Sequence, residues 1–304
     1  MRTYYDMCRH TVAERDRDRY LATLYAPAAH RDALFALFAF GVEIERVREL
    51  AREPLPGEIR LQWWREVLHG ERGEQALANP VSAALIDTIK RYDLPVTPFE
   101  RLIEAHTFDI YDEPMLSIRA LETYADETQA ALLTLAAQVL GAQVLGAQVL
   151  GAQVLGAQVL GARADAALLR ATASAQVFRD VLVLFAQHAA RRQIYVPLEI
   201  LHHFGAKRED ILAGQASVEL RAALAEMRLR ARRHLAAAEE LRLSAPPAIL
   251  PLLLPAASVR PALQRMERRG YDPFAAQGVA PMIPAWRRQW RIWRAARNPR
   301  KIFS

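Results

Sequence analysis

The sequence predicts an all-α protein, and three features of its composition support that prediction. Alanine, leucine, arginine and glutamate dominate the chain, and all four are strong helix formers. The 304 residues include only 13 glycines, five of them inside one repeat, so residues suited to tight turns between strands are scarce. The phosphate-binding patterns GxGxxG and GxxxxGKS/T do not occur in the sequence, which argues against the common nucleotide-binding sheet folds.

Helical periodicity runs along most of the chain, and prolines or glycines separate the periodic runs. Asn79-Pro80 and Thr97-Pro98 are typical helix starts, because a capping side chain precedes a proline that fits the first turn. Gly57 precedes one run and Pro54 follows another. The predicted helices are 33–47, 58–68, 81–92, 97–114, 164–190, 216–241, 251–269 and 284–296.

Composition and charge narrow the class of protein further. A chain with 52% apolar and 24% charged residues is typical of a folded globular protein. Its single cysteine, Cys8, excludes an internal disulfide and any multi-cysteine metal site. No secretory signal opens the chain, which predicts a cytoplasmic location. We predict one helical domain over residues 1–272 and a basic segment over 273–304.

Residues 137–161 are five perfect copies of Ala-Gln-Val-Leu-Gly. The uncharged span around them is long enough to cross a membrane. A glutamine at every fifth position is costly in hydrocarbon, however, so we interpret the repeat as not transmembrane. Five residues turn a helix by about 500°, so the apolar side chains form no stripe. We predict an expanded helix end or inter-helix loop that carries no chemistry.

Three segments, taken in order, resemble the squalene/phytoene synthase family. The first contains Tyr5, Cys8 and the run from residue 19 to residue 40. The second is Leu-Gln-Trp-Trp-Arg-Glu at residues 61–66, and the third is the run at 190–197, which is similar to the end of the family's second acidic motif. The resemblance implies an isoprenoid-synthase-type helical bundle.

Active members of that family join two prenyl diphosphates head to head with loss of diphosphate. The resemblance implies Mg²⁺ held by carboxylates at i and i+4 on two facing helices, a spacing that puts both on one face. In this sequence the first pair falls on Glu45 and Glu49. Counted back from Tyr195, which closes the second motif, the second pair falls on Leu184 and His188.

This sequence therefore keeps only half of the expected metal site. Leu184 has no ligand atom, and His188 is a softer ligand than Mg²⁺ prefers. Asp180 lies one turn before Leu184 and is the remaining acid on that helix. If catalysis survives, we expect Glu45, Glu49, Asp180, His188 and Tyr195 to carry it, with Mg²⁺ at the two glutamates.

A structural interpretation of the same residues stays open. Glu45 with Arg48 and Glu49 with Arg52 are i,i+3 pairs of the kind that stabilise a solvated helix face. Arg46 places a cation beside the supposed metal site. His188 is equally typical of a partly buried helix residue with a satisfied hydrogen bond.

The degenerate pattern is similar to one branch of the family, the assembly factors of mitochondrial NADH dehydrogenase (complex I) and their bacterial relatives. That resemblance implies a non-catalytic or weakly catalytic protein that acts in respiratory-complex assembly or binds an isoprenoid lipid, with a respiratory-complex subunit as partner. The alternative is an active Mg²⁺-dependent prenyltransferase that takes a prenyl diphosphate. If the protein is not an enzyme, we expect no cofactor.

Two further clusters have structural and functional interpretations. His106, Asp109 and Asp112 have a spacing that suits a metal, but a pair between Asp109 and a neighbouring arginine explains it equally well. Trp63 and Trp64 cannot point the same way on a helix, so one is expected in the core, and the other either packs in the ordinary way or lines a cavity.

The basic C-terminal segment carries a regular aromatic stripe. Trp286, Trp290 and Trp293 lie at i, i+4 and i+7, with Arg287 and Arg291 on their flank. The last 24 residues carry seven basic and no acidic residues, so the rest of the chain nets −1 out of the total of +6. The pattern predicts a helix at a peripheral membrane surface, or one whose tryptophans dock on the bundle. A single short basic helix does not favour nucleic acid as a partner.

Overall fold

The structure is a computed structural model that describes residues 1–51, 53–111, 113–141, 156–275 and 283–303, and the side chains of all of these except 156–162 and 244. It is 79% helical, and the described residues contain no strand. The all-α, single-domain, isoprenoid-synthase-type prediction is confirmed. The α-helices are α1 Arg2–Arg15, α2 Arg17–Thr23, α3 Ala28–Glu45, α4 Val47–Leu50, α5 Pro54–Leu68, α6 Gly73–Ala78, α7 Pro80–Tyr92, α8 Thr97–Ile110, α9 Ile118–Ala125, α10 Ala131–Val139, α11 Gly156–Val183, α12 Phe185–Ala190, α13 Leu198–Phe204, α14 Arg208–Leu212, α15 Val218–Leu241, α16 Leu250–Leu253, α17 Val259–Met266 and α18 Ala285–Arg297.

Helix α3 is the centre of the bundle. Every residue from 33 to 42 is buried, as expected of a helix that is apolar all round. Helices α1, α7 and α10 pack around it, and α11 packs along α15 on the other side of the bundle. Gly41 lets α10 approach closely, because a Cβ at that position would lie 2.8 Å from a methyl carbon of Leu132.

Two predicted helices are interrupted at the positions that later form the site. The run 33–47 was predicted as one helix, but α3 ends at Glu45, and α4 begins after a turn at Arg46. The run 164–190 was also predicted as one helix, yet Leu184 stands between α11 and α12 with φ −93° and ψ 6°. Apolar periodicity continues through a one-residue kink, so the sequence pattern did not reveal either break.

A π-helical turn, Asp126–Ala130, connects α9 to α10. Such turns insert an extra residue into a helix and occur often at functional sites. Here the turn directs Thr128 and Gln129 toward the interior of the bundle.

The other element boundaries are mostly close to the predicted ones. The predicted helix 251–269 is wrong as a single element, because short α and 3-10 pieces from Pro247 to Met266 replace it. The repeat prediction falls largely on residues 142–155, which lie outside the described residues. Its described ends belong to the end of α10 and the start of α11. The division at residue 272 stays a prediction.

Candidate functional site

A cavity of about 290 Å³ opens between α3–α4, α8, the π-helical turn and the junction of α11 with α12. It brings together all five residues proposed for catalysis. These are Glu45, Glu49, Asp180, His188 and Tyr195. The spacing argument therefore placed the residues correctly, and their partners decide what they can do.

Glu45 is the last residue of α3, and its carboxylate is accessible from the cavity. It has no hydrogen-bond partner among the described residues. Removal from bulk water raises its pKa, and Asp16 and Asp180 raise it further, although Arg19 and His106 act in the opposite direction. Glu45 is thus a carboxylate in a site that disfavours its charge.

Glu49 follows the turn at Arg46 and does not continue the helix of Glu45. Oε1 of Glu49 accepts a hydrogen bond from Nη1 of Arg191 at 3.3 Å, across the mouth of the cavity. The i,i+3 pairing of Glu45 with Arg48 stays a prediction, and Nη1 of Arg46, the cation beside Glu45, contacts Oε1 of Glu43 at 3.4 Å. The predicted partner Arg52 lies outside the described residues.

Asp180 lines the cavity from α11 and is held by its own neighbour. Arg179 contacts both carboxylate oxygens, with Nε to Oδ1 at 2.8 Å and Nη2 to Oδ2 at 3.1 Å. Burial raises the pKa of Asp180 although Arg179 favours the charged form. The other Arg179 nitrogen, Nη1, donates to Ser258 at 2.8 Å, so the guanidinium is fixed in place.

Leu184 and His188 occupy the next two turns of the same wall. The His188 ring stacks at a tilt on Tyr195, with ring centroids 4.6 Å apart. Among the described residues its Nδ1 has no hydrogen-bond partner, so the hydrogen bond predicted for a structural histidine at this position is not formed by that nitrogen there. Burial lowers the pKa of His188 to about 4, assisted by Arg191 and opposed by Asp109.

A buried carboxylate, Asp109, organises the floor of the cavity. Its Oδ1 accepts from the Tyr195 hydroxyl at 2.6 Å, and its Oδ2 accepts from the Tyr124 hydroxyl at 2.9 Å and contacts His106 Nδ1 at 2.6 Å. Burial opposes the charged form of His106, but Asp109 and Glu45 outweigh it and raise the pKa. Burial and Asp109 also raise the pKa of both tyrosines.

This arrangement corrects the expectation for the His106 cluster. Asp109 pairs with two tyrosines and a histidine, and not with an arginine among the described residues. Asp112, the third member of the supposed cluster, lies outside the described residues. The i,i+3 spacing of His106 and Asp109 was a correct signal for contact, but the tyrosines come from distant segments and left no local pattern.

Arg19 is a cavity residue that sequence reasoning missed. Asp16 caps α2 by accepting from the Arg19 backbone, and its carboxylate also contacts Arg19 Nε at 3.2 Å. The guanidinium is 7% exposed, lies 5.1 Å from the ring centroid of Phe38 and donates to Gln129. Its Nη1 has no hydrogen-bond partner in the described part of the chain.

The donor set does not fit the Mg²⁺ pair that the resemblance implies. The described residues contain no group of three or more acidic, histidine or cysteine side chains placed to hold a metal. Asp16, Glu49 and Asp180 each contact an arginine, and a guanidinium already offsets the charge that a divalent ion would neutralise. The second helix offers Leu184 and His188 where two carboxylates are expected.

The two neighbouring tryptophans of α5 differ in burial and contact each other. Trp64 is buried and Trp63 is half-buried against it, with ring centroids 5.0 Å apart.

On α18, Trp286, Trp290 and Trp293 are exposed, so the prediction that this stripe docks on the bundle is wrong. No described helix combines the length and apolarity needed to cross a membrane.

A family model described as squalene/phytoene synthase matches residues 12–294. The chain belongs to the squalene/phytoene synthase family. Curated relatives carry two kinds of name. NADH dehydrogenase (ubiquinone) complex I, assembly factor 6, of Rattus norvegicus is 27% identical over 267 residues, covering 88% of this chain and 75% of the relative. Phytoene synthase of Arthrospira platensis is 26% identical over 288 residues, covering 93% and 89%.

Solved structures agree with this assignment. A squalene synthase from Alicyclobacillus acidocaldarius superimposes with a TM-score of 0.72 at 25% identity, covering 90% of this chain and 96% of that chain. A dehydrosqualene synthase in complex with ligand gives a TM-score of 0.74 at 13% identity, covering 98% and 96%, and this second likeness concerns the fold alone.

Proposed function

We propose that this squalene/phytoene synthase-family protein does not transfer prenyl groups and acts in the assembly of a respiratory complex. One observation carries the first half of the proposal. Three of the carboxylates that converge on the cavity, Asp16, Glu49 and Asp180, each contact an arginine. The facing helix offers Leu184 and His188 in place of two further acids. Mg²⁺ prefers several oxygen ligands in near-octahedral geometry and shares them with substrate phosphates, and this cavity does not provide them.

The space around the cavity supports the same proposal. A pocket that buries a single small-molecule ligand typically encloses about 300–1,000 Å³, so the 290 Å³ of the polar cavity is at the lower limit for one ligand. Behind Arg19 and Gln129, the gap lined by Phe38 and Leu133 measures about 10 Å³, which is room for roughly one water molecule. Two prenyl chains do not fit in these spaces.

The second half of the proposal is supported by the relatives. Assembly factor 6 sequences from rat, human and mouse match 88% of this chain at 27% identity. A protein with the family fold and an incomplete metal site has the shape of the family, and its surface is available to bind a partner. We place the function at a membrane surface, where a respiratory complex is assembled.

A turnover assay tests the loss of catalysis. The purified full chain is incubated with farnesyl or geranylgeranyl diphosphate and Mg²⁺, and diphosphate release is followed. We expect release equal to that of the Glu45→Ala variant. Release that Glu45→Ala abolishes would overturn the proposal.

A depletion experiment tests the role in assembly. Deleting the gene in the source organism should lower the amount of intact NADH dehydrogenase on a native gel, and the Glu45→Ala chain should restore it because the role needs no metal. Normal levels of the complex in the deletion strain contradict the assembly role.

A second candidate, an active Mg²⁺-dependent prenyltransferase, has one observation in its favour. The five predicted catalytic residues do share a single cavity, and the family includes relatives named phytoene synthase. In that case Glu45 and Glu49 are the ligands from this chain, and the turnover assay decides between the two candidates.

Isoprenoid binding without catalysis is favoured by a separate feature. An open groove of about 770 Å³ runs between α8 and α9, floored by Phe108, Met115, Leu116 and Tyr124. Tyr124 also lines the polar cavity. Quenching of a fluorescent farnesol analogue by the full chain, relieved by farnesol, measures this binding, and Leu116→Glu should weaken it.

A further inference from the structure

Helix α18 has two opposite faces with different partners. Ile292 and Ala295 are buried against the segment 254–258 and α2. Trp286, Trp290 and Trp293 are 64%, 49% and 42% exposed. At about 100° per residue, the centres of the two faces lie roughly 200° apart around the helix. The tryptophans therefore point away from the bundle because other residues hold the helix to it.

The helix is fixed along its length. An Nη2 of Arg288, on the inner face, contacts Asp18 at 2.8 Å, and the Asp18 side chain is 8% exposed. Beyond the helix, Ile302 and Phe303 are buried, and the Phe303 carbonyl accepts from Arg260 at 2.8 Å. Because both ends are tied down, α18 lies flat on the protein and presents its outer face as a preformed surface.

The outer face combines aromatic rings with cations. The guanidinium carbons of Arg287, Arg294 and Arg297 lie 5.1, 5.2 and 4.3 Å from the ring centroids of Trp286, Trp290 and Trp293, respectively. Within the part of the chain that the structure describes, none of these arginines forms an ion pair with a carboxylate. Arg291 lies nearer the inner face and is half-buried, and burial, together with the neighbouring Arg294 and Arg287, lowers its pKa.

We propose that this outer face of α18 docks on the surface of an anionic lipid bilayer, with the three tryptophan rings at the level of the headgroups and Arg287, Arg294 and Arg297 on the lipid phosphates. The proposal rests on the membrane location given under the proposed function and names the residues and the lipid class. Amphipathic indole rings are enriched at that depth of a bilayer, and arginines near it are attracted by the anionic headgroups.

Charge distribution favours a bilayer over the other partners. The segment after residue 280 carries seven basic residues and no acid, while the rest of the chain nets −1. A nucleic-acid surface needs a wider basic patch than one short helix. A protein partner for three exposed tryptophans with arginines over their rings needs a groove that is both acidic and apolar. An anionic bilayer offers both properties without a matching shape.

Vesicle co-sedimentation of the full chain tests the proposal. Vesicles of phosphatidylglycerol and phosphatidylcholine in equal parts are compared with vesicles of phosphatidylcholine alone. We expect binding to the anionic vesicles, weakened about fivefold for each arginine removed, or on the order of 100-fold in the Arg287→Gln, Arg294→Gln, Arg297→Gln variant. Alanine at all three tryptophans should weaken binding by roughly tenfold or more.

A matched control separates this surface from overall charge. Arg15, Arg101 and Arg269 are exposed elsewhere on the chain, and replacing them with glutamine removes the same charge, so this variant should bind within about twofold of wild type. Vesicles that contain brominated phosphatidylglycerol should quench the tryptophan fluorescence of the wild-type chain. They should not quench that of the triple variant Trp286→Phe, Trp290→Phe, Trp293→Phe.

Three results would overturn the proposal. They are absence of wild-type binding to anionic vesicles, equal binding to neutral vesicles, and equal losses in the control and tail variants. Structured RNA that binds the tail as tightly as the vesicles do, and competes with them, also overturns it. None of these results depends on diphosphate release or on the amount of NADH dehydrogenase, so this inference and the proposed function fail separately.

Discussion

The cavity and the outer face of α18 use arginine in opposite ways. In the cavity, Arg19, Arg179 and Arg191 each contact a carboxylate. On α18, Arg287, Arg294 and Arg297 lie over tryptophan rings instead. For Arg19 and Arg179, which lie inside the bundle, pairing is required because desolvation of an unpaired charge is costly. Arg191 pairs at the exposed mouth of the cavity, and the exposed charges of α18 keep their hydration and stay available to a partner.

Under the proposed function, this difference separates a cavity that does not catalyse prenyl transfer from a surface that docks on a partner. Arginines contact Glu49 and Asp180, two of the acids that would otherwise bind a metal, whereas Glu45 has no such contact among the described residues. Within the same part of the chain, Arg287, Arg294 and Arg297 of the outer face have no carboxylate partner, so their charge is available to something outside the protein. The cavity should therefore govern stability and metal affinity, and the α18 surface should govern docking.

The largest expected effect on stability is at Asp109. Asp109→Ala removes the acceptor of two buried tyrosine hydroxyls and the partner of His106. We expect it to lower the free energy of unfolding in urea by about 3–5 kcal/mol, the usual cost of leaving a buried pair broken.

A variant from the other region is the control for this effect. Trp290→Ala changes an exposed ring on α18 and should alter the free energy of unfolding by no more than about 0.5 kcal/mol. If both variants destabilise the protein equally, the contrast between an internal paired network and a free surface is wrong.

The next effect is a pH dependence at His188. Its pKa is about 4 in the folded protein and about 6.5 in the unfolded chain. Between these values the unfolded chain binds a proton at His188 that the folded protein does not bind. The free energy of unfolding therefore falls as pH decreases from 6.5 to 4, and His188 causes no further loss below pH 4. The pKa difference corresponds to a loss on the order of 3 kcal/mol.

Urea titrations at pH 6.5 and pH 4 measure that loss. His188→Gln should reduce it, while His203→Gln, on an exposed histidine, should leave it unchanged. His106 acts in the opposite direction because its pKa is raised, so the comparison must be made between variants and not on the wild-type curve alone. An identical loss in His188→Gln and wild type contradicts the assignment.

Much of this molecule follows from the sequence, for identifiable reasons. Helical periodicity and proline positions located most helices, and the i,i+4 spacing located Glu45 and Glu49 at the cavity. The kink at Leu184 and the contact between Arg191 and Glu49 depend on packing between distant segments, which a single sequence does not encode locally. The periodicity of α18 predicted a tryptophan stripe, but only the burial of Ile292 decided which face is free.

Restoring two acids to the second motif should recover metal binding. Leu184→Asp with His188→Asp supplies the missing carboxylates opposite Glu45, and Leu184 is the N-cap of α12, a position where aspartate is favoured. We expect Mn²⁺, used in place of Mg²⁺, to raise the stability of this variant by about 2.7 kcal/mol at 100 times its Kd.

Thermal unfolding with and without Mn²⁺ measures that gain, and electron paramagnetic resonance counts the bound ions. The wild-type chain should show no saturable shift, and adding Glu45→Gln to the double variant should abolish the gain. A saturable shift in the wild-type chain would mean that the paired acids still bind a metal, and the proposed loss of the metal site would be wrong.

The smallest expected effect is at the pair between Glu49 and Arg191. Both side chains are more than 40% exposed, so a double-mutant cycle with Glu49→Gln and Arg191→Gln should give a coupling of only about 0.2–1 kcal/mol, lower still in 1 M salt. Coupling well above that range would mean that the pair stabilises the fold.

If the coupling is small, Arg191 acts mainly through its charge. Arg191→Gln in the Leu184→Asp, His188→Asp background should then tighten Mn²⁺ binding severalfold, because Glu49 becomes available to the metal.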